Sequence, residues 1–146
     1  MKKDLSSPNW AFLSRFRVYH DGLLYLWRLR IFECPLFGIY LHKIYRPDRD
    51  RDLHDHPWPF MSFILRGAYI EEHFCPGTLC GPGRHTNRIF VKWFNWKKKA
   101  TDAHRISSIL GCGDPVWTLV LRGRRQRNWG FYTEDGWVPN EEYLNG

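Results

Sequence analysis

Apolar and polar residues alternate with a period of two through most of the chain from residue 17 onward. Turn signals built from Gly, Pro, Asp and Asn separate the alternating runs at short intervals, as is typical of antiparallel strands. The pattern predicts strands over residues 17–20, 23–32, 38–45, 60–65, 68–74, 88–94, 104–110, 116–121 and 128–132. A final aromatic strand or tail follows the turn at 134–136.

The start of the chain has a different pattern, with Ser7 and Pro8 ahead of an apolar run. Serine caps helices and proline suits the first helical position, so we expect a short helix over residues 7–16 that lies against the rest of the chain. Many short strands and one helix predict an all-β fold, a small antiparallel β-barrel or sandwich. We expect one domain over 1–146, with an N-terminal helical segment (1–16) followed by the barrel and a C-terminal tail (17–146).

The composition fits a folded globular domain, since 43% of the 146 residues are apolar and 25% are charged. The four cysteines form no Cys-x-x-Cys pair, which gives a structural zinc site little support and favours a reducing compartment. No apolar stretch approaches the ~20 residues of a membrane span, and no leader pattern follows the first residues. We therefore expect a cytoplasmic protein without membrane contacts.

The net charge of +7 predicts an anionic partner or substrate. Guanidinium groups grip carboxylates and phosphates with paired hydrogen bonds, and the candidates for holding such a substrate are Arg66, Arg88 and Arg105, with Arg122, Arg124 and Arg125. For any one of these arginines, plain surface charge is the simpler interpretation.

His54-Asp55-His56 is the clearest chemical signal in the chain. On a strand, residues two apart point to the same face, so both imidazoles can reach one metal ion while Asp55 points away. The alternative is that both histidines are solvated loop residues, because a charged loop precedes them. Their apolar flanks, Leu53 and Pro57 among them, favour an interior position.

These residues resemble the first metal-binding motif of the cupin superfamily, in which two histidines are followed by an acid and, after a strand, by a turn glycine. His54, His56 and Gly67 fall on the pattern, whereas Phe60 occupies the place of the acid. His104 resembles the single histidine of the second cupin motif, although the usual Pro and Gly before it are absent. The resemblance implies a cupin or jelly-roll barrel with His54, His56 and His104 as metal ligands. Three further segments, 40–42, 53–58 and 129–131, resemble phage and bacterial proteins, which implies no activity.

A hairpin turn at Arg66-Gly67 would pair Ile64 with Tyr69, Ser62 with Glu71 and Phe60 with His73. In the cupin pattern the position of Phe60 faces the interior, so Tyr69, Glu71 and His73 would line the cavity and Glu72 would face out. We expect Glu71 or His73 to replace the missing acid, as a ligand or as a general base, and Tyr69 is a third candidate catalytic residue. His42 shares a face with Ile44 and is a candidate partner of the metal ligands.

Three imidazoles suit a divalent transition metal, and Fe(II), Zn, Mn, Ni and Co are all compatible. With Phe60 in place of the acid, the centre resembles the three-histidine type of cysteine dioxygenase. That resemblance favours Fe(II) and a dioxygenase reaction on a small anionic molecule, making the protein a metal-dependent oxidoreductase. Cupin isomerases and epimerases are the alternative within the superfamily, and a homodimer is plausible.

A second class of function follows from two basic segments with aromatic residues, 93–99 and 122–129. Rings for base stacking beside cationic side chains are typical of single-stranded nucleic-acid binding. A non-enzymatic protein that binds nucleic acid or a nucleotide is therefore a second hypothesis. In the simpler interpretation, Trp93 and Phe94 are core residues and Lys97 belongs to a solvated turn.

Overall fold

The computed structural model describes residues 10–74, 86–97, 99–111 and 113–145. Two six-stranded antiparallel sheets face each other. Sheet A contains, in spatial order, β1 (Ala11–His20), β2 (Leu23–Glu33), β3 (Gly38–Ile44), β10 (Val116–Arg122), β5 (Phe60–Arg66) and β8 (Phe94–Lys97). Sheet B contains β12 (Gly136–Pro139), β11 (Gly130–Thr133), β4 (Leu53–His54), β9 (His104–Leu110), β6 (Ala68–Phe74) and β7 (Thr86–Val91).

The all-β prediction is confirmed, but the two sheets form an open sandwich and not a closed barrel. Within the described residues, no strand of sheet A pairs with a strand of sheet B. The core lies between the sheets, and its members come from both: Leu26, Ile44, Ile64, Tyr69, Val91, Ile106 and Val116. No helix in the described part of the chain is long and apolar enough to cross a membrane.

The predicted N-terminal helix is wrong for residues 11–16, which belong to β1; residues 7–9 lie outside the described residues. β1 pairs with β2 from Ala11 opposite Glu33 to His20 opposite Leu23. The ring of Phe12 packs against that of Phe32, with centroids 5.1 Å apart. Cross-strand hydrogen bonds and ring contacts of this kind override a local capping signal.

The predicted pairing of 60–65 with 68–74 is also wrong, because β5 and β6 lie in different sheets. Gly67, with φ of +86°, turns the chain from one sheet to the other, and a Cβ there would lie 3.1 Å from Val116. β5 pairs with β10 and β8, whereas β6 pairs with β9 and β7. Side chains of β5 and β6 therefore meet across the sandwich and not along a hairpin.

The strand predicted over 88–94 is divided in the structure. The backbone breaks at Trp93, whose φ is +78°, so that β7 remains in sheet B and β8 joins sheet A. Residues 95–97, which follow the last residue of the predicted strand, belong to β8. At the other end of the chain, β12 leads into the short helix α1 (Asn140–Asn145).

Candidate metal centre

Three imidazole rings converge between the sheets. The ring centroids of His54, His56 and His104 are 4.9 to 5.1 Å apart, a nearly equilateral triangle. One nitrogen from each ring lies within 4.8 Å of the others. This arrangement brings together the three histidines that the sequence predicts as metal ligands.

Strand register explains how the rings meet. His54 on β4 lies directly opposite His104 on β9, and His104 lies opposite His73 on β6. Directly opposed residues in an antiparallel sheet share a face, so the rings of His54, His104 and His73 lie side by side on sheet B. His56 follows β4 by two residues, and its backbone N–H donates to the carbonyl of Ala100 at 3.0 Å.

Asp55 holds the His54-His56 segment from the other side. Its carboxylate is fully buried and binds four groups: the backbone N–H of Gly130 (2.8 Å), the Trp137 indole (3.1 Å), the Tyr132 phenol (3.3 Å) and the Arg127 guanidinium (2.9 Å). Gly130 is needed here, since an added Cβ would clash with the Val138 carbonyl and lie 2.9 Å from the Trp137 ring. These contacts fix the backbone between the two histidines.

The nitrogens of this cluster suit a cation. The Nε2 atoms of His56 and His104 are 2.7 Å apart, and Nδ1 of His104 hydrogen-bonds to the Glu71 carboxylate. A proton on Nδ1 leaves the Nε2 lone pair of His104 directed into the cluster. A carboxylate behind a ligating histidine is the usual arrangement at metal sites, because it fixes the tautomer and orients the ring.

The other two rings are neutral near pH 7. Burial lowers the pKa of His54 to about 4, although the charge of Asp48 raises it in part. Burial, followed by the neighbouring His104 and His54, holds the pKa of His56 well below its usual range. Neutral imidazoles offer free lone pairs, which divalent metals require.

Glu71 anchors the cluster but is not positioned as a fourth ligand. Its side chain is buried and accepts hydrogen bonds from His104 Nδ1, His73 Nε2 (2.7 Å), Lys97 Nζ (2.8 Å) and Asn95 Nδ2 (2.9 Å). Burial raises the pKa of Glu71, but the charge and hydrogen bond of His104, with His73 and Lys97, outweigh it and hold the pKa well below normal. The group is therefore a carboxylate whose basicity is weakened.

Lys97 and Asn95 were missed by the sequence interpretation, which assigned Lys97 to a solvated turn. Both side chains are buried on β8, and Lys97 Nζ also bonds Asn95 Oδ1 at 2.8 Å. The alternation of polar Asn95 and Lys97 with aromatic Phe94 and Trp96 is the signal that could have placed them on the inner face of a strand.

Phe60 occupies the position that an acid would take. Its ring lies 4.7 Å from that of His56 and 5.8 Å from that of His104. On its other side Phe60 lines an apolar cleft of about 260 Å³, together with Met61, Trp96 and Arg122. Trp129 and Phe131 lie beside His54, at 6.2 and 5.9 Å. Aromatic rings thus border the histidine cluster, both beside His56 and His104 and beside His54.

No protein-family model matches the sequence, and a search of curated proteins finds no similar sequence. Among solved structures, the chain is similar to a cupin-2 domain protein from Rhodospirillum rubrum. The TM-score is 0.56 and the identity 10%, over 93% of this chain and 86% of that chain.

The chain has the cupin fold.

Two structures of FeII HppE are also similar in fold to this chain. Their TM-scores are 0.52 and 0.53, with 10% identity over 75% and 76% of this chain. This chain spans only 56% and 55% of those chains. The similarity is therefore one of fold.

Two further predicted catalytic residues, His73 and Tyr69, lie beside Glu71 in the structure. His73 has a side chain 21% exposed and makes its hydrogen bond to Glu71 through Nε2. Tyr69 is buried, and its phenol accepts a hydrogen bond from Asn95 Nδ2 at 2.9 Å. Burial, with the charge of Glu71, raises the pKa of Tyr69 far above its usual range, so the phenol stays protonated.

Three of the six arginines predicted to hold a substrate, Arg66, Arg88 and Arg105, are paired with carboxylates. Arg88 and Arg105 bind Glu72 at 2.9 and 2.7 Å, on the face of sheet B opposite to the three histidines. Arg66 pairs with Asp114 at 2.8 Å in solvent. This placement separates all three guanidinium groups from the histidine cluster.

His42 lies on β3, where its Nε2 accepts a hydrogen bond from Arg28 Nε at 2.9 Å. It makes no hydrogen bond to the three clustered histidines. Burial, followed by the charge of Arg28, holds the pKa of His42 well below its usual range. Its position fits a partner of Arg28, not a ligand of the metal.

In the two basic aromatic segments, 93–99 and 122–129, several aromatic rings are exposed, whereas two of the basic side chains are buried. Trp93, Phe94 and Trp96 are exposed, so the first two are not core residues as expected in the simpler interpretation. Lys97 is buried on Glu71, and Arg122 is buried and paired with Glu33 at 2.7 Å. The exposed rings therefore lack two of the cations that nucleic-acid binding would use beside them.

Proposed function

We propose that this cupin is a metal-dependent enzyme in which His54, His56 and His104 hold one divalent transition metal. The observation that carries the proposal is the convergence of three imidazoles, of which burial keeps His54 and His56 neutral, with a carboxylate fixed behind His104. Within the described residues the donor set is three nitrogens, because Glu71 binds the far side of the His104 ring and Phe60 fills the acid position. Such a set leaves coordination positions open for substrate.

We propose Fe(II) as the resident metal and a dioxygenase reaction on a small anionic molecule. A three-histidine Fe(II) centre supplies activation of dioxygen beside a bound substrate, and because both oxygen atoms enter the product no outside reductant is needed. The FeII HppE structures are similar in fold, which supports the choice of iron to test first. Isomerisation is the alternative reaction for the same metal site.

The chain's own residues contribute orientation, exclusion of water and proton handling. Glu71 is a positioning residue, since it acts on the site through His104. His73, partly exposed beside Glu71, is the candidate proton carrier. Tyr69 keeps its proton and contacts Asn95, so we assign it to support of the buried network. Phe60, Trp129 and Phe131 shield the metal positions from bulk water.

The test is dioxygen uptake by anaerobically Fe(II)-loaded protein, measured against a panel of small thiols, hydroxy acids and amino acids. The proposal expects substrate-dependent uptake with a 1:1 ratio of dioxygen to product, abolished in His104→Ala and retained in the surface variant Asp114→Asn. Conversion of an anionic sugar or hydroxy acid to its isomer without dioxygen uptake would establish the isomerase alternative instead. Absence of metal binding by the wild-type protein would overturn the proposal as a whole.

A further inference from the structure

A row of polar side chains crosses the inner face of sheet A. Arg28 on β2 lies directly opposite His42 on β3, and His42 lies opposite Thr118 on β10. Each is two residues from a core residue of its own strand, Leu26, Ile44 and Val116 in turn, and residues two apart on a strand share a face. The three side chains therefore point between the sheets, toward the layer that carries the histidine cluster.

Arg28 lacks the carboxylate that an enclosed guanidinium ordinarily has. Its hydrogen bond within the described residues is the one from Nε to His42, and its guanidinium carbon lies 5.5 Å from the centre of the Tyr40 ring. The two other inner-face arginines, Arg30 and Arg122, both pair with Glu33, at 2.9 and 2.7 Å. Burial lowers the pKa of Arg28, while the phenols of Tyr40 and Tyr25 and the charge of Glu33, which is not in contact with Arg28, raise it.

An enclosed guanidinium that no described carboxylate contacts is costly to folding, so its presence needs a reason. The planar end of the guanidinium, with NH1 and NH2, makes no hydrogen bond to any described residue. The side chain is partly exposed to solvent. A second polar group in the row is unused as well: Thr118 is 2% exposed, and its Oγ1 has no hydrogen-bond partner.

The row is connected to the metal side of the sandwich through one hydrogen-bonded pair. The Tyr25 phenol donates to Asp48, and Asp48 also accepts the backbone N–H of Ile106 on β9 at 2.6 Å. The charge of Arg28 acts on Tyr25, and the charge of Asp48 acts on His54. Arg28 is therefore near one member of the Tyr25–Asp48 pair, and His54 is near the other.

We propose that Arg28 is the binding site for the carboxylate of a small organic acid, held between the sheets with Thr118 Oγ1 available as an additional hydrogen-bonding group. This inference rests on the proposed function, in that it names the anionic group of the substrate and the residue that receives it. A carboxylate matches the two parallel N–H groups of one guanidinium and carries the single negative charge that no described carboxylate brings into contact with Arg28. The arginines predicted from sequence, Arg66, Arg88 and Arg105, have no part in it.

The experiment measures thermal stabilisation by acetate, propionate and butyrate at constant ionic strength, on Ni(II)-loaded and on metal-free protein. A ligand that binds only the folded state raises Tm in a saturable way that yields a Kd. We expect saturable stabilisation of the wild type, a Kd at least tenfold weaker in Arg28→Gln, and an intermediate Kd in Arg28→Lys. Arg15→Gln is the matched control, because Arg15 is exposed on the outer face of neighbouring β1 and should leave the Kd unchanged.

Equal Kd values for wild type and Arg28→Gln, or stabilisation by inorganic phosphate alone, would overturn the inference. Arg28→Met without ligand supplies a second measurement: a ligand-binding role predicts equal or higher Tm than wild type, whereas a role in holding the fold predicts a lower one. Metal affinity separates this inference from the proposed function. Tight metal binding with no Arg28-dependent carboxylate binding refutes the inference alone, and Arg28-dependent binding by a protein that takes no metal refutes the proposed function alone.

Discussion

The carboxylate of Glu71 on β6 hydrogen-bonds to Nδ1 of His104 on β9, on the side of the ring away from His56. This contact fixes the tautomer of His104 and orients its ring. It also explains why Glu71 does not occupy the fourth ligand position, since both its oxygens are already bound by buried donors.

Glu71→Gln tests this relationship. A glutamine amide cannot satisfy all four donors, so His104 loses its orientation and we expect metal affinity to fall 10- to 100-fold. Glu72→Gln is the matched control, because Glu72 is the next residue but lies on the opposite face with Arg88 and Arg105. Isothermal titration with Zn(II) distinguishes the two, and equal affinities in both variants would contradict the positioning role.

Asp55→Asn removes the buried charge that fixes the backbone between His54 and His56. Its amide NH2 group replaces one of the two oxygens and would face either the N–H of Gly130 or the indole N–H of Trp137, so we expect the free energy of unfolding to fall by about 2–4 kcal/mol. Urea denaturation measures this loss. Asp114→Asn breaks an exposed pair with Arg66 and should cost less than about 1 kcal/mol. A similarly small loss in Asp55→Asn would show that the contacts of the Asp55 carboxylate are not needed for stability.

Phe60→Glu places a carboxylate beside His56 and His104, where the cupin pattern has an acid. Without metal, the buried charge should destabilise the fold by about 1–3 kcal/mol; with Mn(II) or Fe(II), a fourth ligand should raise metal affinity at least tenfold. Phe63→Glu is the control, since Phe63 is exposed on the other face of β5. If Phe60→Glu binds metal no more tightly than wild type, Phe60 is not at the ligand position.

His42 contributes to the pH dependence of stability. Its pKa in the folded protein lies well below 6.5, first because of burial and then because of Arg28. The unfolded chain therefore takes up a proton that the folded protein refuses, and stability falls as the pH drops from about 6.5, by up to about 1.4 kcal/mol per pH unit for this group. His42→Gln should show a shallower loss between pH 7 and pH 5 in urea denaturation, and an unchanged slope would show that His42 is protonated without penalty.

The sequence contains enough to predict part of the histidine cluster, because a two-residue spacing sets the face of His54 and His56 whatever the neighbouring strand is. The same parity places Glu71 inward and Glu72 outward. This assignment of Glu71 and Glu72 is correct even though the expected pairing of β5 with β6 is wrong, because side-chain alternation depends on the strand itself and not on its partner.

Strand partners and the interior network could not be predicted in the same way. Gly67 permits a hairpin turn and a passage between sheets equally well, and only the competing partners of β5 and β6 decide between them. Lys97 is held inside by Glu71, which is 26 positions away in the chain. Ser7 and Pro8, a helix-like start, precede residues 11–16, but pairing with β2 satisfies the backbone hydrogen bonds of 11–16 as a strand.

The central claim is that His54, His56 and His104 bind one metal ion together. Isothermal titration of the metal-free protein with Co(II), followed by visible absorption of the bound ion, tests it most directly. The account predicts one equivalent of Co(II) for the wild type and for His20→Ala, whose ring stacks on Tyr25, and at least a hundredfold weaker binding for His54→Ala, His56→Ala and His104→Ala alike. Unchanged stoichiometry and affinity in any one of the three cluster variants would contradict it.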